Sequence, residues 1–234
     1  MQLAADLHIH SCLSPCGDAA MTPNNLVNMA YIKGLDVIAL SDHNSAWNLP
    51  AAAAVAKERK ILLIPAIEVE TREEVHVLCY LRDIPSALEF GERIYSSLPD
   101  IPNMPDFYGE QLVLNEDDDI LRSIPKLLIQ ATALSLDEVA ALARSFGGVP
   151  VPAHINRSSN SLIANLGFIP DAPAFTAVEV YRRLPLPGGV STDRFHVLHS
   201  SDAHDLESIL ERESFLNIED RTVEAVLKYL AAPK

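Results

Sequence analysis

Two histidines stand one residue apart in DLHIHS, residues 6–11. Side chains alternate across a β-strand, so Asp6, His8 and His10 are expected on one face, with Leu7 and Ile9 on the other. Imidazole and carboxylate on one face suit a metal ion. The same donor types recur along the chain: Asp42 and His43 in SDHN, Glu68 and Glu70 in EVE, His76 in EVHVL, His154 in PAH, and Asp202 and His204 in SSDAH. Six of the eight histidines fall in these stretches. A donor set without thiolates differs from a structural zinc site and fits Zn, Mn or Fe. One ion cannot use so many donors, so two or three divalent ions are expected. Glu68 is the candidate bridge, because a carboxylate has two oxygens. Clustered ions activate water and stabilise charge on a phosphoryl group.

The elements that must position these residues alternate between short apolar strands and helices. Strands are expected at 2–7, 36–40, 61–70, 74–81, 149–154, 177–182 and 195–201. Helices are expected at 22–33, 48–60, 85–98, 135–148 and 221–231. Thr22 caps the first helix, with Pro23 at its first position and Gly34 as its stop. Ser135 and Glu138 form a capping box. Repeated βα units predict a mainly parallel sheet, most simply a barrel, whose strand ends converge on one mouth. An open doubly wound sheet is the alternative, but no GxGxxG follows the first strand. Residues 99–134 break the rhythm, with Pro99, Pro102 and Pro105 followed by two short strands about an acidic turn. This is read as an excursion from a single 1–234 domain, a lid or a partner surface. Asp117–Asp119 fail EF-hand spacing and read as a solvated turn.

DLHIHS, ALSDHN, EVETREEVHVL, PAHINR and SSDAH, in that order, resemble the motifs of the PHP superfamily, the polymerase-and-histidinol-phosphatase phosphoesterases. The resemblance runs from residue 5 to about residue 205. It implies an α/β fold, a distorted (βα)7 TIM-like barrel with a trinuclear site at its mouth. Carried over motif by motif, it implies one ion on His8, His10, Glu68 and Asp202. A second would lie on Glu68, His76 and His154, and a third on His43, His204 and a first-loop ligand, assigned here to Asp18. The stretch CLSPCGD lengthens that loop relative to many relatives. Asp42 precedes a ligand and would orient it. Arg157 follows His154 by three residues and would bind phosphate. The usual HP after this histidine is HI here.

The resemblance implies hydrolysis of a small phosphorylated metabolite or nucleotide by a metal-activated hydroxide, with a phosphoric monoester favoured. The alternatives are a short-oligonucleotide exonuclease and a metal-binding, non-catalytic interaction module. The pattern fixes no oligomeric state. A net charge of −14 argues against a duplex nucleic acid partner. No apolar run reaches membrane-spanning length, and the N-terminus lacks a signal peptide's basic start, so a cytoplasmic location is expected. Three cysteines cannot all pair, and free thiols are expected there. Cys12 and Cys16 are read as bystanders, and His196 and His199 as packing residues. Strand alternation would send one of Arg182 and Arg183 to the mouth and the other to solvent.

Overall fold

The first strand sets the frame. In the computed structural model, which describes Met1–Lys234, β1 (Gln2–Ile9) is followed by α1 (Pro23–Ile32), β2 (Val37–Leu40), α2 (Leu49–Arg59) and β3 (Leu62–Glu70). These are parallel βα units, with β1 against β2 and β2 against β3. Then come β4 (His76–Tyr80), α3 (Ile84–Ser97), α4 (Pro105–Tyr108), β5 (Leu112–Leu114), β6 (Ile120–Ser123), α5 (Leu136–Ser145) and β7 (Val149–Pro152). The chain closes with α6 (Leu162–Leu166), β8 (Ala177–Glu179), β9 (His196–Leu198), β10 (Phe215–Asn217) and α7 (Val223–Ala231). Thr22 accepts from Asn25 N–H to cap α1, and the Ser135–Glu138 capping box of α5 is formed.

The ladders form a curled six-stranded half-barrel, β10-β1-β2-β3-β4-β7, and a separate parallel pair, β8-β9. This corrects the expected (βα)7 barrel and its mainly parallel sheet. Only a five-residue turn joins β3 to β4, too short for a crossover helix, so β4 runs antiparallel. β7 is antiparallel to β4, and β10 to β1. A few hydrogen bonds link the β8-β9 pair and the residues after it to the half-barrel, among them Ile155 N–H to Glu179 O and His10 N–H to Ala203 O, both 2.9 Å. α4, α6 and β10, absent from the sequence-based pattern, are short and weakly periodic.

Two apolar layers hold the sheet. Ala4, Ile9, Ile38 and Ile67 belong to the larger one, shared with α1, α2, α3 and α5. Leu3, Ala5, Leu7, Ala39 and Ala66 belong to the other, with Val226, Leu227 and Leu230 of α7. Leu7 thus keeps company with Leu3 and Ala5, whereas Ile9 joins Ala4. The β1–β2 register shifts between Asp6 and Ile9. This bulge breaks the alternation expected for Asp6, His8 and His10, re-aiming the last two. Asp6 instead accepts from Ser201 N–H at 2.9 Å and Leu210 N–H at 3.0 Å, tying the late chain to β1.

Residues 99–134 do include a hairpin, β5-β6. Its core is Leu13, Leu98, Val113, Ile124 and Leu128. Asn44 Nδ2 donates to Leu128 O and Gln130 O, and Asn48 Nδ2 to Leu112 O. The excursion therefore packs on the β1–α1 and β2–α2 loops.

Candidate metal centre

The end of β1 supplies His8 and His10, and the β2–α2 loop supplies His43. The C-terminal end of β3 supplies Glu68, and the first residue of β4 supplies His76. Because β4 is antiparallel, its start lies beside the ends of the parallel strands. His154 follows β7, and Asp202 and His204 follow β9. His154 and Asp202 both adopt positive φ, 26° and 53°, a conformation of about 1–3 kcal/mol local cost that recurs at functional sites.

Glu68 sits at the centre, fully buried. Its Oε1 lies 3.0 Å from His76 Nδ1, 3.2 Å from His154 Nε2 and 3.3 Å from His8 Nε2. Its Oε2 lies 3.1 Å from His43 Nδ1 and 3.3 Å from His10 Nε2. Asp202 Oδ1 is 3.2 Å from Nε2 of both His8 and His10. Three donor groups result: His8, His10, Glu68 and Asp202; His43, Glu68 and His76; and His10, His43 and His204. The first is the set expected from the sequence. In the second, His43 joins Glu68 and His76, with His154 close by. In the third, His10 stands where Asp18 was expected. Asp18 is exposed, and its carboxylate accepts from Ala20 N–H at 2.7 Å. The loop doubles back tightly at Gly17, where a Cβ would collide with the Ser11 carbonyl, and this leaves Asp18 on the outside.

These residues fit bound cations. Donors about 2.0–2.2 Å from one centre lie roughly 3.0–3.6 Å from each other. His43 Nδ1 and Glu68 Oε2 are 3.1 Å apart, buried, and each without a hydrogen-bond partner. Such unsatisfied groups cost about 1–3 kcal/mol each, which a cation between them would offset.

Hydrogen bonds behind the cluster set the tautomers. His8 Nδ1–H donates to Glu179 at 3.0 Å, leaving Nε2 free to ligate. Glu179 also accepts from His154 N–H at 3.0 Å, so one carboxylate fixes two ligand segments. His10 Nδ1–H donates to Ser14 Oγ at 3.0 Å, and Ser14 donates to Asp42 Oδ1 at 2.7 Å. Ser14 Oγ also accepts from His43 N–H at 3.1 Å. Asp42, buried, takes Ser11 N–H and Ser11 O–H as well, each at 2.7 Å. Asp42 thus braces His10 and His43 through Ser14. Glu179 and Ser14 escaped the sequence reading. An acidic residue inside the apolar strand AVEVYR is the signal that could have found Glu179, since buried Glu needs a partner.

Burial pushes the Glu68 carboxyl up, but His76, His8 and His43 override it and hold it well below the usual range. Burial opposes charge on His76, yet Glu68 and then Glu70 raise it to about 10. Burial and neighbouring His10 push His204 down to about 4. Without metal, the cluster's negative charge is met by protons on some imidazoles and not others.

Arg157 Nη1 lies 2.6 Å from Asp202 Oδ2, and its guanidinium carbon is 4.4 Å from the centre of the Tyr181 ring. Beside it opens a cleft of about 320 Å³, lined also by Arg182, Arg183 and Ser200. Both neighbouring arginines line it, contrary to strand alternation, because β8 ends at Glu179 and the chain then turns. Cys12, Cys16 and Cys79 are free thiols. His196 packs on Tyr229, and His199 Nδ1 donates to Val180 O at 3.0 Å.

The sequence model of the PHP domain matches residues 6–144. The chain belongs to the PHP domain family. A 5′-3′ exoribonuclease from Haemophilus influenzae is 38% identical over 76 residues, 31% of this chain and 27% of that protein. A 3′,5′-nucleoside bisphosphate phosphatase from Chromobacterium violaceum is 36% identical over 76 residues, 31% of this chain and 26% of that one. The match thus spans about a quarter of each of these PHP relatives. Among solved structures, endonuclease Q in complex with a 27-mer duplex bearing an abasic lesion superposes with a TM-score of 0.70 at 20% identity. That likeness covers 98% of this chain and 56% of the endonuclease. A Bifidobacterium adolescentis protein assigned to the metal-dependent phosphoesterases gives 0.63 at 20% identity, over 97% and 96% of the two chains. At such identities the likeness is one of fold. The expectation that duplex nucleic acid is excluded does not stand, since endonuclease Q, whose fold this chain resembles, was solved in complex with a duplex. Net charge misled because it averages over the whole surface, whereas Arg157, Arg182 and Arg183 gather at one cleft beside Asp202. No helix is long and apolar enough to cross a membrane.

Proposed function

We propose that this PHP domain is a metal-dependent phosphoesterase that hydrolyses a small phosphorylated metabolite or nucleotide. The observation that carries this reading is Glu68. Its two oxygens face different imidazole sets in one buried cluster, and that cluster opens at Asp202 onto an arginine-lined cleft. His8, His10, Glu68 and Asp202 would hold one divalent ion, Glu68, His76 and His154 a second, and His43 and His204 a third, closed by His10. Zn, Mn and Fe all suit these donors. Such ions supply a lowered pKa for water and charge stabilisation for a phosphoryl group.

The chain's own groups do the rest. Glu179 and the Ser14–Asp42 pair keep the Nε2 lone pairs of His8 and His10 turned inward. Arg157, steadied by Asp202 and Tyr181, presents its remaining N–H groups to phosphoryl oxygens. A second reading, cleavage at a nucleic acid strand end, is favoured by the exoribonuclease relative.

The test pairs metal content by mass spectrometry with hydrolysis of an aryl phosphate ester, for wild type and His10→Ala. Two or more ions per chain, with metal and turnover both lost in the variant, is the expected result. Absence of metal after reconstitution would sink the reading. Full metal loading without turnover on esters, nucleotides or oligonucleotides would favour the interaction module.

A further inference from the structure

The stretch EVE puts Glu68 and Glu70 two residues apart on one face of β3. Glu68 enters the donor groups, and Glu70 belongs to none of them. Glu70 is nonetheless buried, and a buried Glu needs a partner. The strand register supplies one. Glu70, the last residue of β3, stands directly opposite His76, the first of β4. One imidazole therefore lies between two carboxylates. Its Nδ1 is 3.0 Å from Glu68 Oε1, and its Nε2 is 3.6 Å from Glu70 Oε2. The second distance is too long for a hydrogen bond, and His76 Nε2 is buried with no other partner. Hydrogen bonds at functional sites tighten from such distances when the site is filled.

Glu70 is itself held on several sides. Its N–H donates to Asn44 Oδ1 at 3.1 Å, and its carbonyl accepts from Thr132 N–H and Thr132 Oγ1–H, both at 2.9 Å. Its Oε1 accepts from Asn160 Nδ2 at 3.1 Å, which leaves Oε2 to His76. The Asn160 carbonyl in turn accepts His76 N–H at 3.0 Å. Asn160 does this at a φ of 53°, in the left-handed region where Asn is enriched. It thus touches both members of the pair. A metal-ligating histidine almost always gives its second ring N–H to an outer partner, commonly a carboxylate. His8 and His10 have such partners in Glu179 and Ser14.

We propose that Glu70, aimed by Asn160, is the positioning residue of His76: it takes the Nε2 proton and so turns the Nδ1 lone pair to the ion beside Glu68. The inference rests on the metal-centre reading and goes beyond it, giving a role to a carboxylate outside the donor groups. Glu70→Gln reverses the arrangement. Its amide N–H would face His76 Nε2, which favours the proton on Nδ1 and blocks ligation there.

Long-range proton–nitrogen correlation spectra of the full, zinc-loaded chain read the histidine tautomers, and chelator competition reads zinc affinity. Neither needs turnover. The wild type should show His76 with zinc on Nδ1 and a proton on Nε2. Glu70→Gln should lose that pattern and weaken the zinc at His76 about 10–100-fold. Glu70→Asp keeps the charge but shortens the reach, so its affinity should fall between the two. Asn160→Gly keeps the left-handed backbone and the carbonyl that His76 uses, and should cost less than Glu70→Gln. Circular dichroism checks folding, and Asn160→Gly, which leaves Glu70 in place, carries the test if Glu70→Gln does not fold. Zinc on His76 Nε2, or unchanged affinity in the folded variants, overturns the role of Glu70. A wild type that takes up no zinc after reconstitution would overturn the metal-centre reading itself, so the two failures are told apart.

Discussion

His8, His10 and Glu68 are fully buried at the mouth of the half-barrel, whereas Phe107, Ile120 and Leu121 in the neighbouring excursion are 80%, 63% and 63% exposed. The mouth holds polar groups where apolar ones would be expected, and the excursion does the reverse. The candidate ligands at the mouth are held twice, by strand position and by a bond such as His8 to Glu179. The excursion is held by five apolar side chains and a few amide bonds to two loops. One of those five, Leu13, belongs to the β1–α1 loop, and Asn44 and Asn48 follow His43. The two regions are therefore not independent. The excursion packs on the loops that flank His10 and His43.

Substitutions can break this comparison, starting with the largest effect. Glu68→Gln removes the one charge that faces five imidazoles. Several kcal/mol of transition-state stabilisation are at stake, so turnover on an aryl phosphate should fall by about three orders of magnitude or more, with metal lost by mass spectrometry. Retained activity would mean that Glu68 is not central. Leu128→Ala empties part of the excursion's core and should cost about 2–5 kcal/mol in denaturant unfolding. If this packing steadies the loops, metal affinity weakens in the same variant. Unchanged affinity would make the excursion a free-standing flap.

Metal removal sharpens the electrostatic side. In the metal-free chain His76 is raised to about 10 from an ordinary 6.5. A raised folded pKa stabilises below the unfolded value, and that stability is lost as pH climbs through the folded value. The metal-free Tm should therefore fall between pH 6.5 and about 10, by differential scanning calorimetry. Divalent metal at about 100 times its Kd should add roughly 2.7 kcal/mol, or about 5–10 °C. Its affinity should rise with pH as protons leave the imidazoles. Glu179→Gln, which keeps the shape and loses the charge behind His8, should weaken metal binding about 10–100-fold in a chelator competition. Phe107→Ser lies at the other extreme, with a stability change expected within about 0.5 kcal/mol.

Most of the candidate donor cluster was legible in the sequence because unlike donors at strand ends have few other uses. His8, His10, Glu68 and Asp202 assemble as their motifs imply. Asp18 does not join them, because a side chain in a loop is aimed by turns such as that at Gly17, which spacing does not encode. The parallel barrel was over-read. The βα units from β1 to β3 were visible, but strand direction after β3 depends on the length of one turn. Asp6 was misplaced because a bulge leaves no mark in an alternating pattern. Glu179 went unseen for a different reason, since its role depends on a partner 171 residues away.

The donors of this centre run from His8 to His204, and the first ligand group alone joins β1 to residues that follow β9. Asp6 and Met1 reach further still, to Leu210 and Ile218. In chain order His8 and His10 precede Asp202 and His204 by about 190 residues, so the two imidazoles cannot be enclosed until the segment beyond β9 has joined them. Closing so long a loop is entropically costly and slow, so the polar mouth forms late in folding. Until then, two unpaired imidazoles on the first strand stay open to whatever cation is at hand.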